Sequence, residues 1–244
     1  MAAPSFRQLT VVIPAFNEER FIAQLVGKVL AVDLARFQLS KQVIVVDDGS
    51  VDRTAEIAAA IPGVTLFKMA KNSGKGAAVR AGIERAEGDL LMIQDADLEY
   101  EPDDYVPMIE ELIRSSADAV YGSRYMRPGS TRRAAKHAGQ SWGAYLGGRS
   151  LSLVQWWFTG QFLTDTVTAL KLFRTTIIKD LELTTSGFEL DHEITSRILA
   201  KGCRIREVPI RYNPRGRAEG KKIGARDWFI AVRTYARASR PKNT

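Results

Sequence analysis

The chain has 244 residues, 45% of them hydrophobic and 26% charged, which suits one globular α/β unit and excludes a disordered, collagenous or disulfide-framed chain. A single cysteine, Cys203, rules out an internal disulfide and points to a reducing compartment. The net charge of +7 is uneven: basic residues crowd Arg124 to Lys136 (Arg124, Arg127, Arg132, Arg133, Lys136) and Arg204 to Arg226, which predicts anionic partners such as phosphates, acidic head groups or nucleic acid.

The first residues show no secretory leader, and no run approaches the roughly 18 apolar residues of a membrane-spanning helix, so a soluble or peripheral protein is expected. Leu9 to Pro14 reads as a buried strand and Glu19 to Leu30 as a helix with apolar residues at helical spacing. Gln42 to Val46 is a second strand, ending in Asp47-Asp48-Gly49-Ser50. Asp52 is placed to cap a helix over Arg53 to Ala60. A third strand follows at Val64 to Phe67, a helix at Gly76 to Ala86 and a fourth strand at Leu90 to Ile93. Tyr105 to Ser115 reads as a helix and Ala117 to Tyr121 as a strand.

The second half is less regular. Arg127 to Gly139 is basic and small-residue-rich, a loop. Trp142 to Leu163 is aromatic and moderately apolar; it suits a buried core helix and a surface resting among lipid head groups equally well. Val167 to Phe173 reads as a strand, Leu190 to Ala200 as a helix, Arg204 to Ile210 as a last strand, Arg211 to Gly224 as a basic loop and Ala225 to Ala238 as an amphipathic helix.

Alternating strands and helices predict βαβ units and a mainly parallel sheet flanked by helices. Ligands of such sheets sit at the carboxyl ends of the strands. Asn17-Glu18, Asp47-Asp48 and Asp95-Ala96-Asp97 all fall there. Asp95 and Asp97, with Glu99 two residues on, offer hard oxygens suited to Mg²⁺ or Mn²⁺ beside a diphosphate. Asp47 and Asp48 can accept hydrogen bonds from a nucleobase or ribose, although Asp-Gly is also a common turn. Asn72-Ser73-Gly74-Lys75-Gly76 opens a helix, where glycines and a lysine can admit a phosphate. Gly187 to Glu193 gathers carboxylates and His192 at a helix start, so Glu189 or Asp191 is a candidate general base.

In order, Val12-Ile13-Pro14-Ala15-Phe16-Asn17-Glu18-Glu19, Val45-Val46-Asp47-Asp48-Gly49-Ser50, Asn72-Ser73-Gly74-Lys75-Gly76 and Gln94-Asp95-Ala96-Asp97 resemble the family 2 glycosyltransferases of the GT-A fold. Tyr121-Gly122-Ser123-Arg124-Tyr125, Gly187-Phe188-Glu189 and Glu207-Val208-Pro209-Ile210 are similar to the narrower branch of polyprenyl- and dolichyl-phosphate sugar synthases. The resemblance implies one catalytic domain, with a nucleotide-sugar half over 1–126 and an acceptor half over 127–244. It implies Pro14, Ala15, Asn17, Glu18 and Asp47 around the nucleoside, Asp48, Lys75 and Asp95 near ribose or diphosphate, and Asp95, Asp97 and Glu99 around Mg²⁺ or Mn²⁺. Asp97, Glu189 and Asp191 are its catalytic candidates. Arg124, Arg132, Arg133 and Lys222 would bind the acceptor phosphate. The implied reaction is inverting transfer of a hexose from a UDP- or GDP-sugar to a polyprenyl phosphate, at the cytoplasmic face of a membrane and without nucleic acid. Transfer to a hydroxyl of a soluble or peptidic acceptor is the alternative.

Overall fold

Three apolar runs, Val11 to Ile13, Val43 to Val46 and Leu90 to Ile93, are buried on both faces. Such continuous burial belongs to the centre of a sheet covered by helices on both sides. The computed structural model describes residues 6–126, 142–214 and 225–238. Its strands are β1 (Gln8–Ala15), β2 (Ser40–Asp47), β3 (Val64–Lys68), β4 (Leu90–Ile93), β5 (Ala119–Ser123), β6 (Lys171–Arg174) and β7 (Ile205–Pro209). They form one sheet in the order β3-β2-β1-β4-β6-β5-β7. All neighbours are parallel except β6, which runs antiparallel to β4 and β5.

Helices α1 (Ile22–Ala31), α2 (Thr54–Ala59) and α4 (Tyr105–Ser115) cover one face through Ile22, Leu25, Ala58, Met108 and Leu112. Helices α3 (Lys75–Arg85), α6 (Thr175–Lys179) and α7 (Leu190–Ala200) cover the other through Val79, Ile83, Ile178, Ile194 and Ile198. Helices α5 (Trp142–Thr159) and α8 (Ala225–Ala238) pack on each other over Leu151, Ala231 and Tyr235. The second half contributes β6 and β7 to the sheet begun by the first, so both halves share one frame.

Three details depart from the sequence expectation. The strand expected over Val167 to Phe173 begins only at Lys171, and residues Thr164 to Thr168 form a buried polar turn instead. The helix Thr175–Lys179 was not anticipated, because five residues carry too little periodicity to read. The basic run from Arg204 is also divided in space. Arg204 precedes β7 and is held by Asp118 and the Ser116 carbonyl, while Arg211 follows it and is held by Asp104. Seven residues of extended chain separate the two by about 20 Å.

Candidate active site

The parallel register brings the ends of β1 and β2 side by side, with Pro14 opposite Val46 and Ala15 opposite Asp47. The loops that follow are stitched together. Asn17, in the left-handed region at φ 56°, donates its backbone N–H to Ser50 Oγ at 2.9 Å, and its Oδ1 accepts from Val51 N at 3.0 Å. Glu18 N donates to Thr54 Oγ1 at 2.8 Å. Asp52 accepts from Thr54 N at 3.0 Å, as its expected capping role requires. Asp47 is fully buried; its Oδ1 accepts from Ser50 N at 3.3 Å, and its Oδ2 has no hydrogen-bond donor among the described residues. A buried oxygen left unsatisfied costs about 1–3 kcal/mol, so it is a ready acceptor for a ligand N–H.

Asp48 behaves differently from its neighbour. Its two carboxylate oxygens accept from Ser73 N at 2.7 Å and Gly74 N at 2.8 Å, which fixes the start of α3. The glycines there answer a packing need. A Cβ on Gly74, whose φ is +97°, would stand 2.4 Å from the Ser186 carbonyl oxygen, and one on Gly76 would stand 2.7 Å from that of Gly187. The Ser186 carbonyl accepts from Ala77 N at 3.1 Å. These glycines admit the 186–187 segment, which carries α7 to the site. Glu189 closes that segment, accepting from Gly187 N at 3.1 Å.

This apposition creates a chain of alternating charges. Lys75 Nζ lies 2.6 Å from Asp95 Oδ1 and 4.0 Å from Asp191 Oδ2. Asp191 Oδ1 also accepts from Lys171 Nζ, and Lys171 donates to the Thr168 carbonyl. Burial works against the Lys75 charge, but Asp95 and Asp191 outweigh it and raise its pKa. Burial likewise opposes ionisation of Asp191, and the two lysines overcome it, so its pKa is lowered. Sequence reading passed over Lys171. The signal was present: a lysine inside Ala169-Leu170-Lys171-Leu172-Phe173, where only apolar residues are expected. Because β6 is antiparallel, its first residue lies opposite Ile93, the last residue of β4, and opposite Tyr121 in β5.

After β4, Gln94 is buried and fixes the turn: its N–H donates to the Val12 carbonyl, its Nε2 to the Asp95 carbonyl, and its Oε1 accepts from Tyr105 Oη. Asp97 Oδ1 accepts from Glu99 N at 3.2 Å. Leu98 between them has φ 61°, a conformation that costs a bulky residue roughly 1–2 kcal/mol. Glu99 Oε2 accepts from Tyr212 Oη at 2.8 Å. Among the described residues no three potential metal-ligating side chains converge. The donor chemistry of Asp95 and Asp97 nevertheless fits a hard divalent cation that takes its remaining oxygens from a diphosphate and water.

On the other flank, Arg124 follows β5 and is gripped by a buried carboxylate. Asp165 Oδ2 accepts from Arg124 Nε at 2.7 Å and from its backbone N at 3.1 Å, and Oδ1 accepts from Nη2 at 2.8 Å. The guanidinium also lies over the Tyr212 ring, 5.1 Å from its centre. Glu207 on β7 holds the turn that carries Asp165, accepting from Thr164 N, Thr164 Oγ1 and Asp165 N at 2.8–3.0 Å. Asp165 was not anticipated, and Glu207 was noticed only as part of a motif. The arginine charge expected to await an acceptor phosphate is therefore already matched by a carboxylate. Arg132, Arg133 and Lys222, the other expected acceptor-phosphate residues, lie outside the described residues.

Helix α5 leads away from this flank, with Tyr145 packed edge-on against Tyr125. Leu146, Leu153 and Trp157 recur at intervals of seven and four, so they share one face, and all are exposed. Trp157 is 82% exposed and Trp156 49%, which removes the buried-core reading for both. No helix of the described residues is long and apolar enough to cross a membrane.

The sheet thus gathers acidic turns at the carboxyl ends of its parallel strands. The family model described as "Glycosyl transferase family 2" matches residues 10–179, and the chain belongs to that family. It is 30% identical over 222 residues to a dolichol-phosphate mannosyltransferase of Pyrococcus furiosus, covering 89% of this chain and 60% of that protein. It is 35% identical over 183 residues to a dodecaprenyl-phosphate galacturonate synthase of Rhizobium johnstonii, covering 72% and 50%. The chain thus spans little more than half the length of these two relatives. A dolichyl-phosphate hexose transferase of Haloferax volcanii is 31% identical over 215 residues, covering 88% and 87%. Among solved structures, mannosyl-3-phosphoglycerate synthase from Rubrobacter xylanophilus superposes with a TM-score of 0.72 at 19% identity, over 95% of this chain and 73% of that one. Glucosyl-3-phosphoglycerate synthase from Mycobacterium tuberculosis, in complex with Mn²⁺, UDP and glucosyl-3-phosphoglycerate, does so with a TM-score of 0.70 at 17% identity, over 97% and 82%. The fold is GT-A, as the sequence implied.

Proposed function

We propose that the protein transfers a hexose, with inversion, from a UDP- or GDP-linked donor to a polyprenyl phosphate. The observation that carries the donor half is the orphaned Oδ2 of Asp47. Uracil N3–H and guanine N1–H each present a donor that would satisfy it, whereas adenine N1 and cytosine N3 are acceptors. Pro14, Ala15, Asn17 and Glu18 line the same strand ends and would border the nucleoside; Asp48 contributes by holding the loop before Lys75 in place. Asp95 and Asp97 would hold Mg²⁺ or Mn²⁺, which when bound neutralises charge on the diphosphate leaving group. Mn²⁺ beside UDP in the Mycobacterium tuberculosis enzyme supports that use. Glu99 would add an oxygen to the metal while its Oε2 accepts from Tyr212 Oη.

An oxygen of the acceptor phosphate attacks the anomeric carbon, the bond from that carbon to the diphosphate oxygen breaks, and the nucleoside diphosphate leaves. The acceptor is already an anion at neutral pH and has no proton to remove, so no strong general base is needed. That agrees with the surroundings of Asp191 and Glu189, both engaged within the protein. Arg124 would orient the acceptor phosphate, its guanidinium held by Asp165. The three polyprenyl-phosphate relatives support the acceptor class. The exposed face of α5 would rest on a membrane surface, on the cytoplasmic side, where Cys203 stays reduced.

The test is incubation of the purified protein and Mn²⁺ with labelled UDP- and GDP-sugars, with and without a polyprenyl phosphate. Label should enter the lipid fraction only when the polyprenyl phosphate is present. Transfer to a sugar or peptide hydroxyl, with none to the lipid, would replace this acceptor by the soluble one.

A further inference from the structure

The charge chain Asp95–Lys75–Asp191–Lys171 is arranged in depth. Lys171 is fully buried at the start of β6, and the Asp191 and Lys75 side chains are about one-seventh exposed. Each Asp191 oxygen faces a different lysine, Oδ1 towards Lys171 and Oδ2 towards Lys75. Lys75 in turn closes directly on Asp95, the first carboxylate of the turn after β4. Its ammonium therefore occupies, on Oδ1, the lone pairs that a metal ligand must present.

We infer that Lys75 is a placeholder cation for the metal, held on Asp95 by the positioning residues Asp191 and Lys171, so that the divalent ion and the nucleoside diphosphate are taken up together and the ion alone is resisted. The inference rests on the donor reading above. The Lys75 ammonium cancels one of the two negative charges of Asp95 and Asp97, which weakens the attraction of the turn for a divalent ion. A nucleoside diphosphate changes the balance. It gives Lys75 a second anion to turn to, frees Asp95 Oδ1, and supplies oxygens that complete the coordination of the ion. When the diphosphate departs, Lys75 returns to Asp95 and weakens the hold on the metal, which promotes release of the product complex.

The test measures Mn²⁺ binding to the purified full chain from the paramagnetic resonance signal of the free ion, first alone and then with UDP or GDP. Lys75→Met should bind Mn²⁺ alone at least about tenfold more tightly than wild type, the scale of losing one charge-assisted hydrogen bond. With nucleotide present, the same variant should bind UDP or GDP roughly tenfold more weakly. Lys75→Arg, which keeps the cation, should stay within about threefold of wild type for Mn²⁺ alone. Lys71→Met, which removes one charge from the exposed loop before α3, should change it less than about twofold. The double variant Asp191→Asn/Lys171→Met removes the inner pair without stranding a buried charge, and should tighten Mn²⁺ alone by a smaller factor than Lys75→Met.

Unchanged Mn²⁺ affinity in Lys75→Met, or an equal gain in Lys71→Met, would overturn the placeholder. A folded double variant indistinguishable from wild type would overturn the positioning part, and if that variant does not fold the Lys75 and Lys71 variants decide alone. Tight Mn²⁺-dependent binding of UDP or GDP with no Lys75 effect defeats this inference only. No binding of either nucleotide defeats the donor reading and the placeholder with it.

Discussion

Asp47 and Asp48 are adjacent in sequence, yet the fold uses them for opposite purposes. Asp48 has both oxygens committed to backbone N–H groups of the next loop, while Asp47 is buried with one oxygen unclaimed. Asp47→Asn should therefore separate binding from stability. The Ser50 N–H keeps an acceptor if the amide oxygen takes the Oδ1 place, which puts an NH₂ where the base must donate. Affinity for UDP or GDP should fall by about ten- to a hundredfold, the worth of a hydrogen bond to a charged group. The melting temperature should hold or rise, because a buried, half-satisfied carboxylate has been replaced by a neutral group. Titration calorimetry and a thermal melt check the two effects, and undiminished nucleotide affinity would remove Asp47 from the base site. Which residues stand at the strand ends was legible because each follows a strand of recognisable pattern. What each contacts was not. Lys171 and Asp165 are recruited by an antiparallel strand and a buried turn, and Arg124 is matched to a carboxylate about forty positions away, pairings that no local spacing encodes.

At the level of elements, the parallel strands β1, β2, β4 and β5 could be read directly, since each is a short apolar run between amphipathic helices. Strand β6 was read as a strand, but not its start at Lys171 or its antiparallel direction, because these are set by the chain crossing back through the 164–170 turn. Helix α8 was legible from its apolar period, but its anchorage was not. His192 Nδ1 on α7 meets Tyr235 Oη on α8 at 2.7 Å, both residues buried. Burial lowers the His192 pKa from 6.5 to about 4, although neighbouring Asp191 raises it and Lys171 adds to the lowering. A histidine depressed in the folded state takes up its proton more readily when unfolded. Its contribution to stability is then intact above about pH 6.5 and is lost as pH falls towards 4. Between pH 7 and pH 4.5 the loss comes to about 2 kcal/mol. Glu207 works in the opposite sense across the same window. Burial lifts its carboxyl from 4.5 to about 7 against the pull of its donors, so its contribution grows as pH falls. The total curve consequently hides both effects. The measurable quantity is the difference between wild type and His192→Phe in urea unfolding at pH 7 and pH 4.5. The gap between them should narrow by about 2 kcal/mol at the lower pH, and a gap that is constant with pH would show that His192 is not held neutral.

For the whole molecule, the orientation of the site relative to a lipid surface follows from where the apolar residues are left uncovered. Leu146, Leu153, Trp156 and Trp157 lie on α5, with Phe229 and Ile230 exposed on its partner helix α8. The α5 end of this layer begins beside Tyr125, the neighbour of Arg124, so a membrane under α5 would present a lipid phosphate on the flank where that arginine stands. The energetics can be bounded. The two tryptophans together expose roughly 250 Å² of surface, worth about 6 kcal/mol if all of it left water. If only a quarter does so, the loss of both rings should still lower partitioning onto vesicles by about tenfold. Trp156→Ser/Trp157→Ser should leave the circular dichroism spectrum unchanged and cost less than about 1 kcal/mol in unfolding, since exposed side chains contribute little to the folded state. The wild type should sediment with anionic phospholipid vesicles at low salt, and high salt should release the fraction held by basic residues alone, because screening shortens their reach to a few ångströms. The fraction that resists salt belongs to the aromatic face, and it is this fraction that the double variant should lose. Wild type that fails to bind vesicles at low salt, or a folded double variant that keeps the salt-resistant fraction, would detach α5 from the membrane and leave the acceptor phosphate to be met in solution.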